Sequence, residues 1–302
     1  AARRRASARI WTTRSRSRMA KAGWHPAYLL LAAFAVVLSA CQSPVVSATG
    51  NLDHILENQA LSPDVAALVI YRLEDERVWT SSGDRPAERF VAASTSKIPH
   101  TLIALETGAV SGPDELFEWD GEVRFVPGWN ESQDFATAFR RSTVWIYQTI
   151  TPRIGSATLG DWLAKFDFGN ANTGDADDIQ TYWLKGPLEI SAHEQIGFLA
   201  KLAARTLPLS AETYTQALPI MLEKSGEGWT LYGKTGWTSV KGETDIGWYV
   251  GWLEQTAGEA PGTYAFALNM NMRGDNPPLQ KRRAAVHEAL IAIGALEAPA
   301  DP

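Results

Sequence analysis

Three short motifs on this chain carry residue types that can do chemistry together: Ser94 to Lys97 (Ser-Thr-Ser-Lys), Ser142 to Val144 (Ser-Thr-Val) and Lys234 to Gly236 (Lys-Thr-Gly). They supply a nucleophilic hydroxyl, an amine that can accept a proton, a second hydroxyl that can relay one, and a cation that can bind an anion. These are the components of a serine acyl-transfer site whose base is not a histidine. Each motif alone is weak evidence, because a Ser-x-x-Lys match is expected about once by chance in a chain of this length.

The sequence around the first motif predicts a helix. Apolar residues recur at helical spacing from Ser94 to Thr107, and the pattern stops at Gly108. A serine at a helix start lies near free backbone N–H groups and the positive end of the helix dipole, which stabilise an oxyanion. Lys97 follows three residues later and lies on the same face as Ser94. Together with the two other motifs, this context favours a catalytic pair over an N-cap serine beside a solvated lysine.

Several longer blocks resemble the class D (oxacillinase-type) β-lactamases, over residues 51–296. The resemblance rests on the three motifs and on the blocks Ala93 to Pro99, Leu102 to Gly108, Trp119 to Gly121, Phe168 to Asn170, Trp183 to Pro187 and Gly247 to Trp252. It implies a serine enzyme that hydrolyses β-lactam antibiotics and so gives resistance to them. It also implies the fold of serine β-lactamases and penicillin-binding proteins.

The resemblance assigns a chemical role to each motif. Ser94 would be the acylated nucleophile, and Lys97 would be the general base, carrying a carbamate made from CO2. Ser142 would relay a proton to the leaving nitrogen. Trp183 would hold the carbamate through its indole N–H. No other cofactor and no metal is expected.

Substrate binding is assigned in the same way. Val144 would help to form the wall of the base pocket, and the backbone N–H groups of Ser94 and Trp237 would form the oxyanion hole. The substrate carboxylate would face the Lys-Thr-Gly motif and an arginine of the last helix. The residues concerned are Lys234, Thr235, Gly236 and Arg282, with Arg273 and Arg283 as open alternatives to Arg282.

Two positions depart from the family pattern. Ser96 stands where the family usually has a phenylalanine, and Phe168 where it usually has a tyrosine. If the missing phenylalanine ring points into the base pocket, Ser96 leaves room for water, and we expect the carbamate to be held more weakly. Phe168 keeps an aromatic ring but has no hydroxyl, which argues against a phenolic acid at that position.

Hydrophobic patterning predicts strands near both ends of the chain with helices between them. This indicates an α/β fold of the α+β type, in which an antiparallel sheet built from both termini is flanked by helices and carries an inserted helical lobe. The expected elements are a helix at 51–60, a hairpin of 65–72 and 77–82, a helical stretch at 94–225, strands near 229–233, 245–254 and 263–271, and a helix at 279–293. The aromatic residues of 248–252 are expected to pack in the core.

The N-terminal region is expected to be a targeting segment. Residues 1–18 resemble translated upstream sequence, and residues 19–41 resemble a lipoprotein signal peptide ending at Cys41. An ordinary signal peptide with a chance cysteine is the alternative. Residues 42–50 would form a tether, and residues 51–297 the catalytic domain. A lipid on Cys41 would anchor the protein to the outer membrane, with the catalytic domain in the periplasm of a Gram-negative host.

Composition argues against a nucleic-acid partner and against a disulfide within the mature domain. The first 41 residues hold eight of the 28 basic residues and none of the 34 acidic ones, so the remainder has a net charge of −14. Such an acidic body repels phosphate backbones, which argues against a nucleic-acid partner. Cys41 is the only cysteine, so the mature domain has no internal disulfide.

Two alternative functions arise from the same motifs. Gly228 to Thr235 matches the P-loop pattern, but its middle residues are typical of a strand and no helix pattern follows. A penicillin-binding sensor or transpeptidase would share all three motifs and would acylate Ser94 without efficient turnover. The sequence leaves open the substrate spectrum and the oligomeric state.

Overall fold

A computed structural model describes residues 50–239, 244–258, 260–272 and 278–297. None of the helices in this part of the chain is both long and apolar enough to span a bilayer. The helices are α1 (Asp53–Asn58), α2 (Lys97–Glu106), α3 (Phe135–Arg140), α4 (Val144–Ile154), α5 (Ser156–Lys165), α6 (Ala192–Ala203), α7 (Ala211–Met221) and α8 (Leu279–Ala292). The strands are β1 (Gly50–Asn51), β2 (Ala66–Arg72), β3 (Val78–Thr80), β4 (Phe90–Val91), β5 (Leu116–Phe117), β6 (Gln133–Asp134), β7 (Glu189–Ile190), β8 (Leu222–Gly226), β9 (Trp229–Thr238), β10 (Asp245–Gln255) and β11 (Gly262–Met272).

A seven-stranded sheet in the order β1-β3-β2-β11-β10-β9-β8 forms the centre of the fold. Strand β1 pairs in parallel with β3, and the other neighbouring pairs are antiparallel. The early strand β2 pairs directly with the late strand β11, with Leu68 opposite Leu268. The sheet is therefore built from both ends of the chain, as predicted, and the helical stretch between them forms the inserted lobe.

Side chains of β10 alternate between two hydrophobic cores, as the two-residue repeat of a strand requires. Trp248, Val250 and Trp252 pack in the core of the helical lobe. Tyr249 and Leu253 point to the opposite face and pack in the core that includes residues of α1 and α8. All five are fully buried. The aromatic residues of this strand are core residues, which confirms the sequence-based prediction.

The short strands β5, β6 and β7 lie inside the expected helical stretch, and three strands of the central sheet, β1, β8 and β9, also differ from the expected elements. Strand β9 was expected to end at residue 233 but continues to Thr238, because it stays paired with β10 along its whole length. Strand β8 lies inside the expected helical stretch; its five residues are exposed at the sheet edge and lack an apolar pattern. Gly50, which was assigned to the tether, belongs to β1 and pairs with Trp79 of β3.

The P-loop interpretation is wrong. Strand β9 runs unbroken through Lys234, which leaves no phosphate-binding loop there.

Candidate active site

The first motif lies in a tight turn that leads into α2. Ala93–Ser96 form a single 3₁₀ turn, and α2 begins at Lys97. Ser96 is fully buried, and its Oγ donates to the Ala93 carbonyl at 2.6 Å. A hydroxyl bonded to a carbonyl three residues earlier favours such a turn over a regular helix start. The sequence predicted that the α-helix starts at Ser94. In the structure Ser94 lies instead in the turn before the helix.

Ser94 and Lys97 form a hydrogen-bonded pair in this turn. Lys97 Nζ donates to Ser94 Oγ at 3.0 Å. Lys97 is fully buried, whereas Ser94 is 8% exposed. Burial, and after it the positive charge of Lys234, hold the pKa of Lys97 well below its usual range. Both effects favour the neutral amine, which is the form that can accept the serine proton.

The Lys97 amine lies over an aromatic ring. Its Nζ lies 4.9 Å from the ring centroid of Tyr147, which is fully buried on α4. Trp183 is also fully buried, and its indole Nε1 has no hydrogen-bond partner among the described residues. Val144, the predicted wall residue, is half-buried at the first position of α4. Sequence reasoning missed Tyr147, although its position one helical turn after Val144 could have indicated it.

The second motif meets the third through one hydrogen bond. Lys234 Nζ donates to Ser142 Oγ at 3.0 Å and to the Thr235 carbonyl at 2.9 Å. Ser142 has a φ of +58° in the connection between α3 and α4, a conformation that non-glycine residues adopt at a cost. Burial, and after it the charges of Arg283 and Arg282, lower the pKa of Lys234 to about 7, although the charge of Glu223 opposes this shift.

Strand β9 passes directly against the turn that holds Ser94. A Cβ placed on Gly236 would lie 3.2 Å from Thr95 Cγ2 and from Trp248 Cβ and 3.3 Å from Thr95 N, so a larger residue would fit there only tightly. This contact brings the neighbouring backbones of Ser94 and Trp237 together, and these are the two predicted oxyanion donors. The Trp237 indole is 40% exposed, and its Nε1 donates to Asp245 Oδ2 at 2.9 Å.

Of the two candidate arginines that the structure describes, Arg282 contacts the Lys-Thr-Gly motif. Arg282 on α8 is 6% exposed, and its Nη1 donates to the Gly236 carbonyl at 2.6 Å. Burial, and after it the charge of Arg283, lower the pKa of Arg282 to about 10, so it is charged at neutral pH. Arg283 instead donates through Nε to Glu223 Oε1 at 2.7 Å. Arg273 lies outside the described residues.

The geometry joins the three sequence motifs into one site. A buried lysine contacts the hydroxyl of Ser94, a second lysine contacts the hydroxyl of Ser142, and a buried arginine lies beside the strand that carries Lys234. Such a site can attack a carbonyl, move protons between two hydroxyls and bind an anion. Nucleophilic attack on an anionic amide or ester is the chemistry that this arrangement supports.

Known proteins share both the sequence and this architecture. Residues 73–291 match the family model described as "Penicillin binding protein transpeptidase domain". β-Lactamase OXA-2 of Salmonella typhimurium is 41% identical over 212 residues, covering 70% of this chain and 73% of that protein. β-Lactamase OXA-48 of Klebsiella pneumoniae is 35% identical over 205 residues, covering 68% and 75%.

Solved structures give the same result. The class D β-lactamase YbXI from Nostoc matches with a TM-score of 0.76 at 33% identity, covering 82% of this chain and 99% of that one. FUS-1 (OXA-85), a class D β-lactamase from Fusobacterium nucleatum, matches with a TM-score of 0.75 at 32% identity, covering 82% and 98%. With the Ser94–Lys97 pair, the Ser142–Lys234 pair and these similarities in sequence and fold, this chain belongs to the class D family of serine β-lactamases.

Proposed function

We propose that this enzyme hydrolyses β-lactam antibiotics through an acyl-enzyme on Ser94 and so gives resistance to them. The observation that carries the proposal is the hydrogen bond of 3.0 Å between Ser94 Oγ and the Nζ of a fully buried lysine, Lys97. A serine hydroxyl is a weak nucleophile until a neighbouring base takes its proton. The relatives OXA-2 and OXA-48, whose names identify them as β-lactamases, support the same reaction.

Acylation follows from the placement of the two hydroxyls. The proton of Ser94 passes to the base at Lys97 as Oγ bonds to the β-lactam carbonyl carbon. The backbone N–H groups of Ser94 and Trp237 then stabilise the oxyanion. The C–N bond of the lactam breaks, Ser142 delivers its proton to the departing nitrogen, and Lys234, whose Nζ donates a hydrogen bond to Ser142 Oγ, returns a proton to that oxygen.

Hydrolysis of the acyl-enzyme requires a base that can activate water, and the residues around Lys97 fit a carbamate. Burial favours the neutral amine from which a carbamate forms. The Trp183 N–H is buried without a partner among the described residues, so it is available as a donor to an anion. When bound, the carbamate would supply an anionic oxygen base for both proton abstractions. Lys97 and Ser96 are both fully buried, which supports a base that is closed to bulk solvent.

The alternative, a penicillin-binding sensor or transpeptidase, would use the same acylation step and then stop. The similarity to named β-lactamases favours turnover over a stable acyl-enzyme. Intact-mass measurement tests this difference. Benzylpenicillin mixed with excess enzyme and quenched early should give a single acyl adduct on the peptide that contains Ser94, and the adduct should disappear as the antibiotic is consumed. An adduct on another residue, or one that persists, would contradict the proposal.

The substrate carboxylate is expected to lie between Lys234, Thr235 and Arg282. Arg282→Ala should raise KM by about 10- to 100-fold, because a charge-assisted hydrogen bond contributes about 1.5–3 kcal/mol. The effect on kcat should be smaller, since the carboxylate is bound in both the ground state and the transition state. Steady-state kinetics with a penicillin measure this split.

Arg283→Ala is the matched control for this measurement. Arg283 is the next residue on α8, but its guanidinium is bonded to Glu223 rather than to strand β9. Its removal should change KM by less than about threefold, as expected for a partly exposed ion pair. A large rise in KM for Arg283→Ala with none for Arg282→Ala would assign the carboxylate to the other arginine.

Membrane attachment and a periplasmic location are also proposals, and Cys41 lies outside the described residues. We propose that Cys41 becomes a lipidated N-terminus, from the Leu38 to Cys41 sequence that resembles a lipoprotein cleavage site. One acyl chain binds membranes only marginally, so stable anchoring requires more than one. The intact mass of the protein purified from membranes should show cleavage before Cys41 and acyl additions. An unmodified N-terminus would leave a soluble periplasmic enzyme.

A further inference from the structure

A second buried titratable residue lies one helical turn after the catalytic lysine. His100 follows Lys97 by three residues on α2, so the two side chains share a face of the helix. His100 is fully buried, and its Nε2 lies 2.6 Å from the hydroxyl oxygen of Tyr182, which is also fully buried. None of the three sequence motifs includes His100 or Tyr182, and the acylation steps do not use either residue.

The rings of His100 and Tyr182 both pack against Trp183. The ring centroids of His100 and Trp183 are 5.1 Å apart at an interplanar angle of 82°. Those of Tyr182 and Trp183 are 5.1 Å apart at 84°. Edge-to-face contacts of this kind stabilise a specific relative orientation of aromatic rings. The Trp183 indole is therefore in contact with two rings that are themselves joined by a hydrogen bond.

Packing is what orients the Trp183 indole. Its Nε1 has no hydrogen-bond partner among the described residues, so no polar contact there fixes the ring. The two rings that contact the indole, those of His100 and Tyr182, are held by the hydrogen bond between them. A small rotation of either ring would change the direction in which the indole N–H points, and a donor must be held close to its productive geometry to bind an anion well.

The imidazole is suited to this position because it is uncharged. Burial, and after it the positive charge of Lys97, lower the pKa of His100 to about 3. Near neutral pH it therefore adds no positive charge beside Lys97 and forms its bond to Tyr182 as a neutral ring. Its Nδ1 has no partner among the described residues.

We propose that His100, through its hydrogen bond to Tyr182, is a positioning residue that orients the Trp183 indole N–H toward a carbamate on Lys97. This inference rests on the proposed function, since it concerns how tightly the carbamate is held. His100 touches neither substrate nor the reacting atoms in this account. Loss of the His100–Tyr182 bond should weaken carbamate formation while leaving the nucleophile and the anion-binding residues in place.

The direct test is a titration of the whole protein with ¹³C-bicarbonate, followed by ¹³C NMR of the lysine carbamate signal. Tyr182→Phe removes only the hydroxyl, and we expect the bicarbonate concentration for half-saturation to rise about tenfold, which corresponds to about 1.4 kcal/mol. His100→Asn, whose amide is too short to replace Nε2, should have a similar effect. His100→Gln places an amide nitrogen near the position of Nε2 and should restore much of the affinity. The double variant His100→Asn with Tyr182→Phe should be no weaker than the worse single variant, because both lose the same bond.

Two further variants separate positioning from general stability. Tyr214→Phe removes a buried tyrosine hydroxyl that donates to the Leu207 carbonyl at 3.1 Å, and it should lower the melting temperature without moving the half-saturation. Lys97→Ala identifies the signal, which must be lost. If Tyr182→Phe and His100→Asn lower the melting temperature but saturate at the wild-type bicarbonate concentration, the pair is structural only and the inference is wrong. If the wild-type protein gives no carbamate signal, the proposed base itself is wrong, and this inference fails with it.

Discussion

Ser94→Ala should abolish both covalent labelling by penicillin and turnover. Ser94 Oγ is the hydroxyl in contact with the fully buried Lys97 amine, and it lies in the turn against which Gly236 of strand β9 packs. Removing the nucleophile of a serine hydrolase lowers kcat by about 10⁴-fold or more. Intact-mass labelling with penicillin and a steady-state assay measure the two losses separately.

Ser142 provides the control for this prediction, because it is the other serine bonded to a buried lysine. Lys234, its partner, has a pKa of about 7, so near neutral pH a large fraction of it is protonated and cannot accept a proton. Ser142→Ala should therefore slow acylation strongly while Ser94 is still labelled. Normal labelling of the Ser94→Ala variant would contradict the assignment of the nucleophile, and an adduct on Ser142 would identify its replacement.

Lys97→Ala should lower turnover by about 10³-fold, with the larger part of the loss in deacylation. A general base contributes about 10²- to 10⁴-fold to a single proton transfer, and Lys97 is placed to serve both steps. The acyl-enzyme should therefore accumulate in this variant. Rapid-quench mass spectrometry at increasing times gives the rates of formation and loss of the adduct.

The pH and CO2 dependence of the wild-type enzyme distinguishes a carbamate from a plain amine base. A carbamate forms from the neutral amine, so it is lost as the pH falls and the amine becomes protonated. Because the pKa of Lys97 is lowered, the neutral form persists to a lower pH than for an exposed lysine. We expect activity to decrease in degassed buffer and at mildly acidic pH, and to recover when bicarbonate is added. Full activity in CO2-free buffer at mildly acidic pH would mean that Lys97 acts as an amine.

Local sequence pattern was sufficient to predict four strands of the central sheet, β2, β3, β10 and β11. The hairpin of β2 and β3 and the strands β10 and β11 have alternating or continuous apolar residues, and these patterns do not depend on distant partners. Strand β8 was missed because its exposed residues carry no such pattern. The turn at Ser94 was missed because the hydroxyl of Ser96 competes with the helical hydrogen bonds that the periodicity predicts.

Contacts between distant parts of the chain could not be predicted in the same way. Lys234 and Ser142 are 92 residues apart in sequence, and only their place in two known motifs suggested that they meet. His100 and Tyr182 are 82 residues apart and belong to no motif, so nothing in the sequence connected them. The role of Arg282 depended on the register of α8, and the structure places it beside Gly236.

The number of product molecules formed per enzyme molecule distinguishes hydrolysis from a single acylation of Ser94. A known amount of active enzyme is mixed with a large excess of a chromogenic cephalosporin in bicarbonate-containing buffer, and the product is measured after the initial phase. We expect product to continue to form well beyond one equivalent per enzyme. Product that stops at one equivalent, with Ser94 still acylated, would contradict hydrolysis and indicate a penicillin-binding sensor or transpeptidase instead.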